Sequence, residues 1–530
     1  MSAEGRSDSQ KEVQSSSGSQ QKGCPGSGSE AGAGKSSFDT KLSSTRPIGT
    51  RDFLPDDMQR REWLYSFFSR ICSQWGYRQI QTPTFEHLDL FIARSGEGIK
   101  KELYDFMDKG GRWLTLRPEL TAPVLRAYAE SMQGWPKPVK LFYFGNCFRY
   151  ERPQAGRYRE FWQFGTEIIG SGTPESSATT VALAAAMLSA AGLRRLKIRL
   201  GHVGLLKVLA EHAKMEETDR KAMFPLIDKK DISGLEVVTA KYPEDRCLNA
   251  IRSIVLQGEM DAPLILKQGD NSRNHLKAED RPDVPADRTA AVLKSSGLES
   301  EVLDKALKAL DEFREIATLL ESMIESMPVL ISGTSRAGNN LKDLKEQEDT
   351  DKQWKFCHDF GIARGLDYYT GMVFEIEAED LGAQKQICGG GAYSLDAVFG
   401  IPPTPSVGFG IGFDRVLLAL DKTGISIPAV PRQVYVVPVG KEAVPVAMSV
   451  AGALLAAGFN TELELNRRSL GKSMKYADEM KFQVVLMLGE NEINKKAILI
   501  REMSSGKQTE VAADKIVEAL TKILKEITDS

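Results

Sequence analysis

The amino-acid sequence predicts an α+β protein in which strand-rich segments are interrupted by a long helical block and followed by a small α/β domain. Three observations support this prediction. Strand-like and helical patterns mix within residues 45–204 and again within 346–425. Between 205 and 345 the apolar residues recur mostly at helical spacing. From 432 to 530 short apolar strands alternate with amphipathic helices, which indicates a sheet covered by helices.

The overall composition is that of an ordinary soluble globular protein. The chain has 530 residues and a formal net charge of -3, so a nucleic-acid partner would have to bind a local basic patch. Six dispersed cysteines without a CxxC pair argue against a disulfide framework or a structural zinc site, and they favour a reducing compartment. Because no apolar stretch is long enough to cross a bilayer, we expect no membrane span.

Residues 1–44 predict a disordered extension, since they are rich in Ser, Gly, Gln and Lys and contain hardly any large apolar residue. This extension lacks the apolar core of a secretory signal. A mitochondrial or plastid transit peptide remains an alternative, although acidic residues such as Glu4 and Asp8 and the scarcity of arginine count against it. We therefore expect a cytoplasmic protein.

The first folded segment predicts two helices around a set of short strands. Residues 60–75 carry aromatic and aliphatic residues at helical spacing, and Gly76 follows them. The alternating segment 78–85 contains a proline, which indicates a strand at an edge or an interface. A hairpin is predicted over 106–116, and the RPELT segment then leads into a second helix.

The most informative stretch is FRYERPQAGRYREFWQFGTE, residues 148–167. It follows a strand-like apolar run, places five charged residues around a Pro-Gln-Ala-Gly turn, and ends in aromatic, strand-like sequence. Guanidinium groups bind phosphate through paired hydrogen bonds, so a hairpin with an arginine-lined loop suits a polyanionic ligand. The alternative is a hairpin whose basic tip only faces solvent.

Several other ways of binding nucleotides or metals are excluded by the sequence. LGKS, residues 470–473, lacks the glycine that a P-loop requires five positions before Gly471, and GFGIGF has Phe413 where a dinucleotide-binding motif needs its third glycine. The five histidines form no HxxxH or HExxH pair, which argues against a zinc site or a Ser-His-Asp triad. We therefore expect chemistry that depends on positioning and charge stabilisation.

Three arginines and two glutamates are the candidates for that chemistry. Arg149, Arg364 and Arg415 each lie beside a strand-like segment and a glycine, so each can direct a cation into a cleft. Fixed cations stabilise the charge on a phosphoryl centre under in-line attack. Glu119 and Glu167 follow strand-like segments and can accept a hydrogen bond from an amino group or an imidazole N–H. For each of the five, the alternative is a surface ion pair or a solvated strand end.

Five ordered motifs resemble those of histidyl-tRNA synthetase, a class II aminoacyl-tRNA synthetase family. They are GTRDFLP, TLRPELTAP, FRYERPQAGRYREFWQFGTE, ARGLDYYTG and VGFGIGFDRVLLAL. The arginine-rich loop and GFGIGFDR resemble the second and third signature motifs of class II synthetases in general. RGLDYYTG resembles the histidine-specific motif of the family. The resemblance runs from about residue 46 to the end of the chain and is least distinctive in the helical block.

The resemblance implies a class II catalytic domain, with a six-stranded antiparallel sheet flanked by helices, and a C-terminal α/β domain that binds the anticodon. It implies a homodimer formed through the region from RPIGTRDF to TPTFE. It also implies that the partners are ATP, L-histidine and tRNA(His), and that Mg²⁺ accompanies ATP. Neither zinc nor an organic cofactor is expected, and no metal site made by protein ligands alone.

The resemblance also assigns site residues. Those implied to bind histidine are Glu119, Thr121, Arg149, Gln163, Glu167, Arg364, Tyr368 and Tyr369. Those implied to bind ATP are Arg149, Glu151 and Arg415, and the implied catalytic residues are Arg149 and Arg364. The chain departs from the family pattern at Trp162, where bacterial relatives often have histidine. The helical block is a second departure, because it need not match the usual insertion domain.

A small set of basic residues is expected to contact tRNA. Its members are Arg157, Arg467, Arg468, Lys472 and Lys475. The last four lie on a loop and helix of the terminal domain, where they give an acidic protein a local basic face suited to RNA. The alternative is a helix surface that only faces solvent.

Two functions from other classes compete with the enzyme. A non-catalytic histidine-sensing paralogue, such as the regulatory subunit of ATP phosphoribosyltransferase, would be expected to lack RGLDYYTG and the terminal domain. A synthetase-like RNA-binding or sensor module would be expected to have lost the motif arginines. This sequence retains all of these features, so it predicts a ligase that activates histidine and charges tRNA.

Overall fold

The computed structural model describes residues 45–95, 97–152, 156–261, 285–327, 354–362, 369–382, 385–394, 399–424, 427 and 431–529. The predictions for residues 1–44, for Arg364 and for Tyr368 therefore lie outside the described residues. Residues 47–530 form one compact unit.

Twelve strands precede the terminal domain in the described part of the chain. They are β1 (Arg78–Gln79), β2 (Phe85–His87), β3 (Tyr104–Met107), β4 (Trp113–Leu116), β5 (Val139–Phe148), β6 (Glu160–Ile169), β7 (Leu196–His202), β8 (Met260–Asp261), β9 (Lys355–His358), β10 (Tyr369–Ala378), β11 (Gln386–Ser394) and β12 (Pro405–Gly412).

The helices of the same part lie between and around these strands. They are α1 (Pro55–Gln74), α2 (Leu88–Ser95), α3 (Thr121–Ser131), α4 (Pro174–Ala190), α5 (Val203–His212), α6 (Glu217–Asp228), α7 (Ile232–Thr239), α8 (Arg246–Leu256), α9 (Pro285–Ser295), α10 (Ser300–Glu325) and α11 (Phe413–Lys422). Two short 3₁₀ helices lie at Glu97–Glu102 and Glu379–Leu381.

A nine-stranded mixed sheet, in the order β1-β5-β6-β12-β11-β10-β7-β9-β8, is the centre of this part. The six strands from β5 to β7 in that order pair antiparallel throughout. The implied six-stranded antiparallel sheet is thus present, but it is not the whole sheet. Strands β1 and β9 add parallel pairs at its two sides, and β8 pairs antiparallel with β9. These three strands are short, with two to four residues each.

Helix α4 is buried on almost every side, as its alanine-rich sequence requires. It begins after Thr173, whose Oγ1 accepts a hydrogen bond from the backbone N–H of Ser176. The helix packs against the sheet, α1 and α10. One continuous core cluster includes residues of the sheet, α1, α4, α5, α8 and α10. The helices of the predicted helical block therefore share the core of the sheet.

The terminal domain has its own sheet and its own core. Its strands are β13 (Val434–Pro438), β14 (Thr461–Leu463), β15 (Val484–Leu488), β16 (Ala497–Glu502) and β17 (Gln508–Ala512), in the order β14-β13-β15-β16-β17. Its helices are α12 (Val444–Ala456), α13 (Leu470–Glu479), α14 (Glu490–Asn494) and α15 (Ile516–Asp529). Two apolar clusters pack against this sheet. The predicted α/β alternation is confirmed, except that β16 is followed directly by β17, whose residues alternate between exposed and half-buried.

The predicted strand at 78–85 was wrong in extent. Its two ends form β1 and β2, which belong to different sheets, and the segment between them has no strand structure. Proline at position 83 cannot donate a ladder hydrogen bond, which explains the interruption. Among the helices of the described residues, none combines the length and the apolar character needed to cross a membrane.

Candidate active site

Strands β5 and β6 form the hairpin predicted for the arginine-rich stretch, with Phe148 paired to Glu160 nearest the turn. Side chains alternate between the two faces of a strand. On β6, Phe164 and Ile168 belong to the hydrophobic core. Gln163 and Glu167 therefore project from the opposite face, where both line a cavity.

Two cavities lie over this face of the sheet. The first cavity has a volume of about 310 Å³ and is lined by six of the predicted histidine-binding residues. These are Glu119, Thr121, Arg149, Gln163, Glu167 and Tyr369. The second cavity has a volume of about 380 Å³ and is lined by Arg149, Glu151, Arg157 and Arg415. Both cavities share a wall formed by Arg149, Gln163, Gln386, Gly389 and Gly410, and we call these residues the shared wall.

Glu167 is a buried carboxylate at the base of the first cavity, with 1% of its surface exposed. Its Oε1 accepts a hydrogen bond from the hydroxyl of Tyr143 at 3.0 Å, and its Oε2 accepts one from Tyr393. The Tyr143 hydroxyl also lies 3.2 Å from Oγ1 of Thr121. Burial and the Glu167 charge raise the pKa of Tyr143 well above its ordinary value, so Tyr143 stays a neutral donor.

The glycine spacing of β12 makes room for these polar side chains. Gly408 pairs with Glu167 and Gly410 with Gly165 across the β12–β6 ladder. A Cβ atom at Gly408 would overlap Oε2 of Glu167, and one at Gly410 would overlap the carboxamide of Gln163. Glycine is therefore required at both positions of β12, because the side chains of Glu167 and Gln163 on β6 occupy the space that a Cβ atom would need.

Glu119 lies at the start of α3 and closes that end of the helix. Its Oε2 accepts a hydrogen bond from the backbone N–H of Thr121 at 2.6 Å, and its Oε1 accepts one from Ala122 at 2.9 Å. The first N–H groups of a helix have no partner within it, and a carboxylate there also complements the helix dipole. The same two bonds fix the carboxylate at the edge of the first cavity.

Backbone carbonyls hold two of the three arginines of the second cavity, Arg149 and Arg415, in place. Nε of Arg149 donates to the carbonyl of Pro118 at 3.0 Å, and its guanidinium lies 5.3 Å from the centre of the Phe161 ring. Nη1 of Arg415 donates to the carbonyl of Gln386 at 2.7 Å. A carbonyl partner orients a guanidinium and adds no opposing charge, so these hydrogen bonds place both cations at the cavity.

Glu151 lies between two cations at the entrance to the second cavity. Its Oε1 is 3.8 Å from Nη1 of Arg149, and its Oε2 is 3.6 Å from Nη1 of Arg157. These are loose contacts between partly exposed groups, and such pairs contribute little to stability. The three side chains can therefore rearrange around a polyanion.

A family model described as histidyl-tRNA synthetase matches residues 49–278 and 266–416, and one described as anticodon binding domain matches 433–523. The chain belongs to the histidyl-tRNA synthetase family. A relative from Methanosarcina acetivorans named histidine–tRNA ligase is 38% identical over 482 residues, which is 91% of this chain and 99% of the relative. One of the same name from Pyrococcus furiosus is 37% identical over 484 residues, again 91% and 99%.

Solved structures share the fold of this family member at lower identity. A histidyl-tRNA synthetase from Nostoc sp. PCC 7120 has a TM-score of 0.63 and 23% identity, covering 91% of this chain and all of that one. A structure titled ATP phosphoribosyltransferase regulatory subunit/histidyl-tRNA synthetase, from Bacillus halodurans, has a TM-score of 0.61 and 23% identity. It covers 84% of this chain and 99% of that one.

Four residues that line or support the two cavities of this family member were not predicted from the sequence. Tyr143 and Tyr393 hold Glu167, Gln386 belongs to the shared wall, and Asp414 lines the second cavity. Asp414 accepts a hydrogen bond from the backbone N–H of Trp162 at 2.8 Å. Only the glycine-rich context of residues 386–394 hinted at a functional strand, since glycine in a strand often marks close approach of a ligand or backbone.

The predicted tRNA-contacting residues of the terminal domain fall into two groups. Arg467, Lys472 and Lys475 are exposed. Arg468 instead pairs with the buried carboxylate of Glu464 at 3.0 Å and lies over the Tyr476 ring at 4.3 Å. For the first group, the alternative of a surface that only faces solvent therefore remains. Arg468 instead pairs with Glu464 inside the domain.

Glu464 is the centre of a polar cluster behind that face. It accepts hydrogen bonds from the hydroxyl of Tyr435, from Arg468, from the hydroxyl of Ser473 at 3.1 Å and from the backbone N–H of Asn466 at 2.6 Å. Burial alone would raise the pKa of Glu464, but these four donors outweigh burial and lower the pKa to about 2. Glu464 therefore stays ionised at neutral pH, and Arg468 balances its charge.

The described part of the chain contains no group of three or more His, Cys, Asp or Glu side chains able to hold a metal ion. In the second cavity, the partly exposed Glu151 can offer a carboxylate oxygen, the type of ligand that Mg²⁺ prefers.

Proposed function

We propose that the chain is a histidine–tRNA ligase, which activates L-histidine with ATP and transfers histidine to the 3′ end of tRNA(His). The observation that carries this proposal is the pair of cavities on either side of the shared wall. The floor of the first cavity carries the Glu167 carboxylate, and the second cavity is lined by arginines. A reaction between an amino acid and a polyphosphate needs such a division of charge, because the cationic amino group and the anionic phosphates must be bound side by side while the carboxylate reacts.

In this proposal the first cavity binds histidine. Gln163 and Glu167 accept hydrogen bonds from the α-amino group, and Glu167 adds the charge that an ammonium group requires. Glu119, Thr121 and Tyr369 surround the imidazole, where an acceptor selects a side chain that carries an N–H. A buried acceptor left without a donor is costly, which gives strong discrimination against other amino acids.

The second cavity binds ATP. Arg149, in the shared wall, contacts the α-phosphate and the histidine carboxylate, and Arg415 contacts the nucleotide. Mg²⁺ would enter with ATP and neutralise charge on the outer phosphates, with Glu151 as the described carboxylate placed to hold it. We retain the prediction that zinc and organic cofactors take no part.

The first chemical step forms histidyl-adenylate. A carboxylate oxygen of histidine attacks the α-phosphorus, the bond from that phosphorus to the bridging oxygen breaks, and pyrophosphate leaves. No net proton transfer is needed. Arg149 stabilises the charge that develops on the phosphoryl oxygens, and Arg364 remains the predicted second cation. Tyr368 remains a predicted contact of the imidazole.

The second step transfers histidine to RNA. The terminal ribose hydroxyl of tRNA(His) attacks the carbonyl carbon of the adenylate and gives up its proton to solvent. The bond from that carbon to the former carboxylate oxygen breaks, and AMP leaves with this oxygen. Arg157, at the entrance to the second cavity, is the proposed contact for the acceptor end. Arg467, Lys472 and Lys475 are the proposed contacts of the terminal domain, and phosphate binding by these residues would depend on salt.

The domain boundaries also remain predictions. They divide the chain into two parts of the catalytic domain (45–204 and 346–425), the helical insertion between them (205–345) and the anticodon-binding domain (432–530).

We also propose that the chain is a homodimer. Four large apolar side chains between Ile48 and Phe85 are 40–74% exposed, namely Ile48, Leu54, Met58 and Phe85. All four lie in or near the segment for which the family resemblance implies a dimer interface. Light scattering should give twice 58.4 kDa, and Ile48→Glu with Phe85→Glu should halve that mass. A monomeric mass for the unaltered chain would refute the dimer.

We propose a cytoplasmic location as well. The five cysteines within the described residues are free and buried, as expected of thiols in a reducing compartment. Fractionation of cells that produce the full chain would test this, and recovery in an organelle would contradict it.

Histidine-dependent exchange of pyrophosphate into ATP tests the central proposal. The purified chain should support exchange with histidine and with none of the other nineteen amino acids, and it should charge tRNA(His). Arg364→Ala should lower exchange roughly 10²- to 10³-fold. Binding of histidine without exchange would favour the sensing paralogue. Deleting residues beyond 430 should abolish charging and leave exchange measurable.

A further inference from the structure

A β-bulge in β11 determines which way Gln386 points. Across the β10–β11 ladder, Ile376 pairs with Cys388 and Glu377 pairs with Gln386, so Ile387 is an extra residue. Such a bulge reverses the alternation of side chains beyond it. Ile387 and Cys388 both lie in the core, whereas Gln386 lies on the side of Glu375. Bulges often re-aim a side chain beside an active site.

Buried charged groups fix the carboxamide of Gln386. Nε2 of Gln386 donates to Oε1 of Glu375 at 2.9 Å, and Oε2 of Glu375 accepts from Nη1 of Arg199 at 2.7 Å. Arg199 also pairs with Asp359, and all three charged side chains are buried. With its nitrogen committed to Glu375, the carboxamide directs its oxygen away from that carboxylate.

The backbone of Gln386 is tied to the second cavity. Its carbonyl accepts the 2.7 Å hydrogen bond from Nη1 of Arg415. The side chain lines both cavities, and a Cβ atom at Gly389 would lie 3.0 Å from Nε2 of Gln386. Main chain and side chain of this residue therefore both belong to the region where the two cavities join.

We propose that Gln386 contacts the ribose of the nucleotide, its carboxamide oxygen accepting a hydrogen bond from a ribose hydroxyl. Glu375 and Arg199 are positioning residues that orient the carboxamide. This inference rests on the proposed function, which puts the amino acid in the first cavity and ATP in the second.

The chemistry of the junction favours a hydroxyl over a phosphate as the ligand. Arg149 already supplies the cation for the phosphate in the shared wall. The carboxylate of Glu375, 2.9 Å from the Gln386 amide, would repel a phosphate. A ribose hydroxyl is a neutral donor, and the ribose is the group next to the α-phosphate. An oriented carboxamide oxygen is the acceptor that such a hydroxyl needs.

Deoxynucleotides test the contact directly. The full chain and its Gln386→Ala and Gln386→Met variants are titrated with ATP, 2′-deoxy-ATP and 3′-deoxy-ATP by calorimetry. The unaltered chain should bind one of the two deoxynucleotides roughly three- to tenfold more weakly than ATP. Both variants should bind ATP more weakly than the unaltered chain does, by a similar factor. They should bind that deoxynucleotide as tightly as they bind ATP. The loss of discrimination is the sign of a direct contact, since a general structural defect would weaken all three ligands alike.

Two further variants separate positioning from folding. Glu375→Gln should keep the size of the side chain but reduce the discrimination between ATP and the deoxynucleotide. The new amide can present either its oxygen or its nitrogen to Gln386, so it no longer fixes the orientation of the Gln386 carboxamide. Gln133→Ala removes an exposed glutamine beyond α3 and should leave affinities and thermal midpoint unchanged. Gln386→Met matches glutamine in length, so it keeps the packing even if Gln386→Ala lowers the thermal midpoint.

Each outcome decides the proposal. The ribose contact is refuted if both Gln386 variants still bind ATP more tightly than the deoxynucleotide by the full factor. It is also refuted if the unaltered chain does not distinguish the two ligands. Failure of the unaltered chain to catalyse histidine-dependent exchange would refute the proposed function, but ribose discrimination that depends on Gln386 in the binding titrations would still establish the contact.

Discussion

Nη1 of Arg61 on α1 donates to Oδ1 of Asp414 on α11 at a distance of 2.5 Å, and both side chains are 5% exposed. Arg51 contributes a second cation at 2.5 Å from the same oxygen. Burial lowers the pKa of Arg61, although the Asp414 charge opposes that shift. This ion pair fixes the start of α11 and hence Arg415, the next residue.

Asp414→Asn should therefore be strongly destabilising. It would remove the carboxylate charge that pairs with two guanidinium groups, and breaking a buried pair from one side costs about 3–5 kcal/mol. We expect a lower thermal midpoint and a higher KM for ATP in pyrophosphate exchange. Asp421→Asn is the matched control, because Asp421 pairs with Arg60 between the same two helices at the surface. That control should change stability by less than about 1 kcal/mol, and equal losses would contradict the argument.

Gly408→Ala should disable the first cavity. The new methyl group would overlap Oε2 of Glu167 and the carbonyl of Thr166, so the carboxylate would have to leave its two tyrosine partners. The KM for histidine should rise at least tenfold, as expected when a charge-assisted contact is lost. Exchange kinetics at varied histidine measure this. In contrast, Gly452→Ala on α12 meets no neighbouring atom and should be neutral or slightly stabilising.

Glu167→Gln should separate the two substrates. It keeps the size of the side chain but removes the charge that we propose pairs with the α-amino group. We expect the KM for histidine to rise more than tenfold, with the affinity for ATP within twofold of the unaltered value. Titration of each substrate alone would check this. A matching loss of ATP affinity would show that Glu167 acts on the structure of both cavities.

Stability of the terminal domain should fall on acidification because of Glu464. Its pKa is about 2 in the folded chain and about 4.3 in an unfolded one. The unfolded state therefore binds more protons between these values, so the carboxylate's contribution is complete above about pH 4.3 and is lost as pH falls toward 2.

Hydrogen exchange of β13 and α13 in the full chain, compared with that of Glu464→Gln, measures this contribution. The variant should exchange faster at pH 6, and the difference between the two proteins should shrink below about pH 4. Glu479→Gln at the exposed end of α13 is the control and should show no such dependence. A difference that stays constant with pH would rule out the Glu464 carboxylate as its source.

Much of the fold follows from local signals. The apolar run before Arg149, the turn residues and the aromatic segment after them predicted the β5–β6 hairpin. The helical spacing of residues 60–75, followed by Gly76, predicted most of α1, which spans Pro55–Gln74. These signals depend on residues within a turn or a few positions of one another, so they can be recognised in a single sequence.

The sequence by itself determined the fold class, the family and part of the polar lining of the two cavities, but it did not predict Tyr393, Gln386 or Asp414. Only the tertiary structure decided how those residues are held. Glu167 and Tyr393 are 226 positions apart, and Trp162 and Asp414 are 252 apart. Contacts of this kind arise from strand order in the sheet, which brings β6, β12 and β11 side by side. The bulge that turns Gln386 into the shared wall depends on the register of β10 and β11, and register is a property of the paired strands.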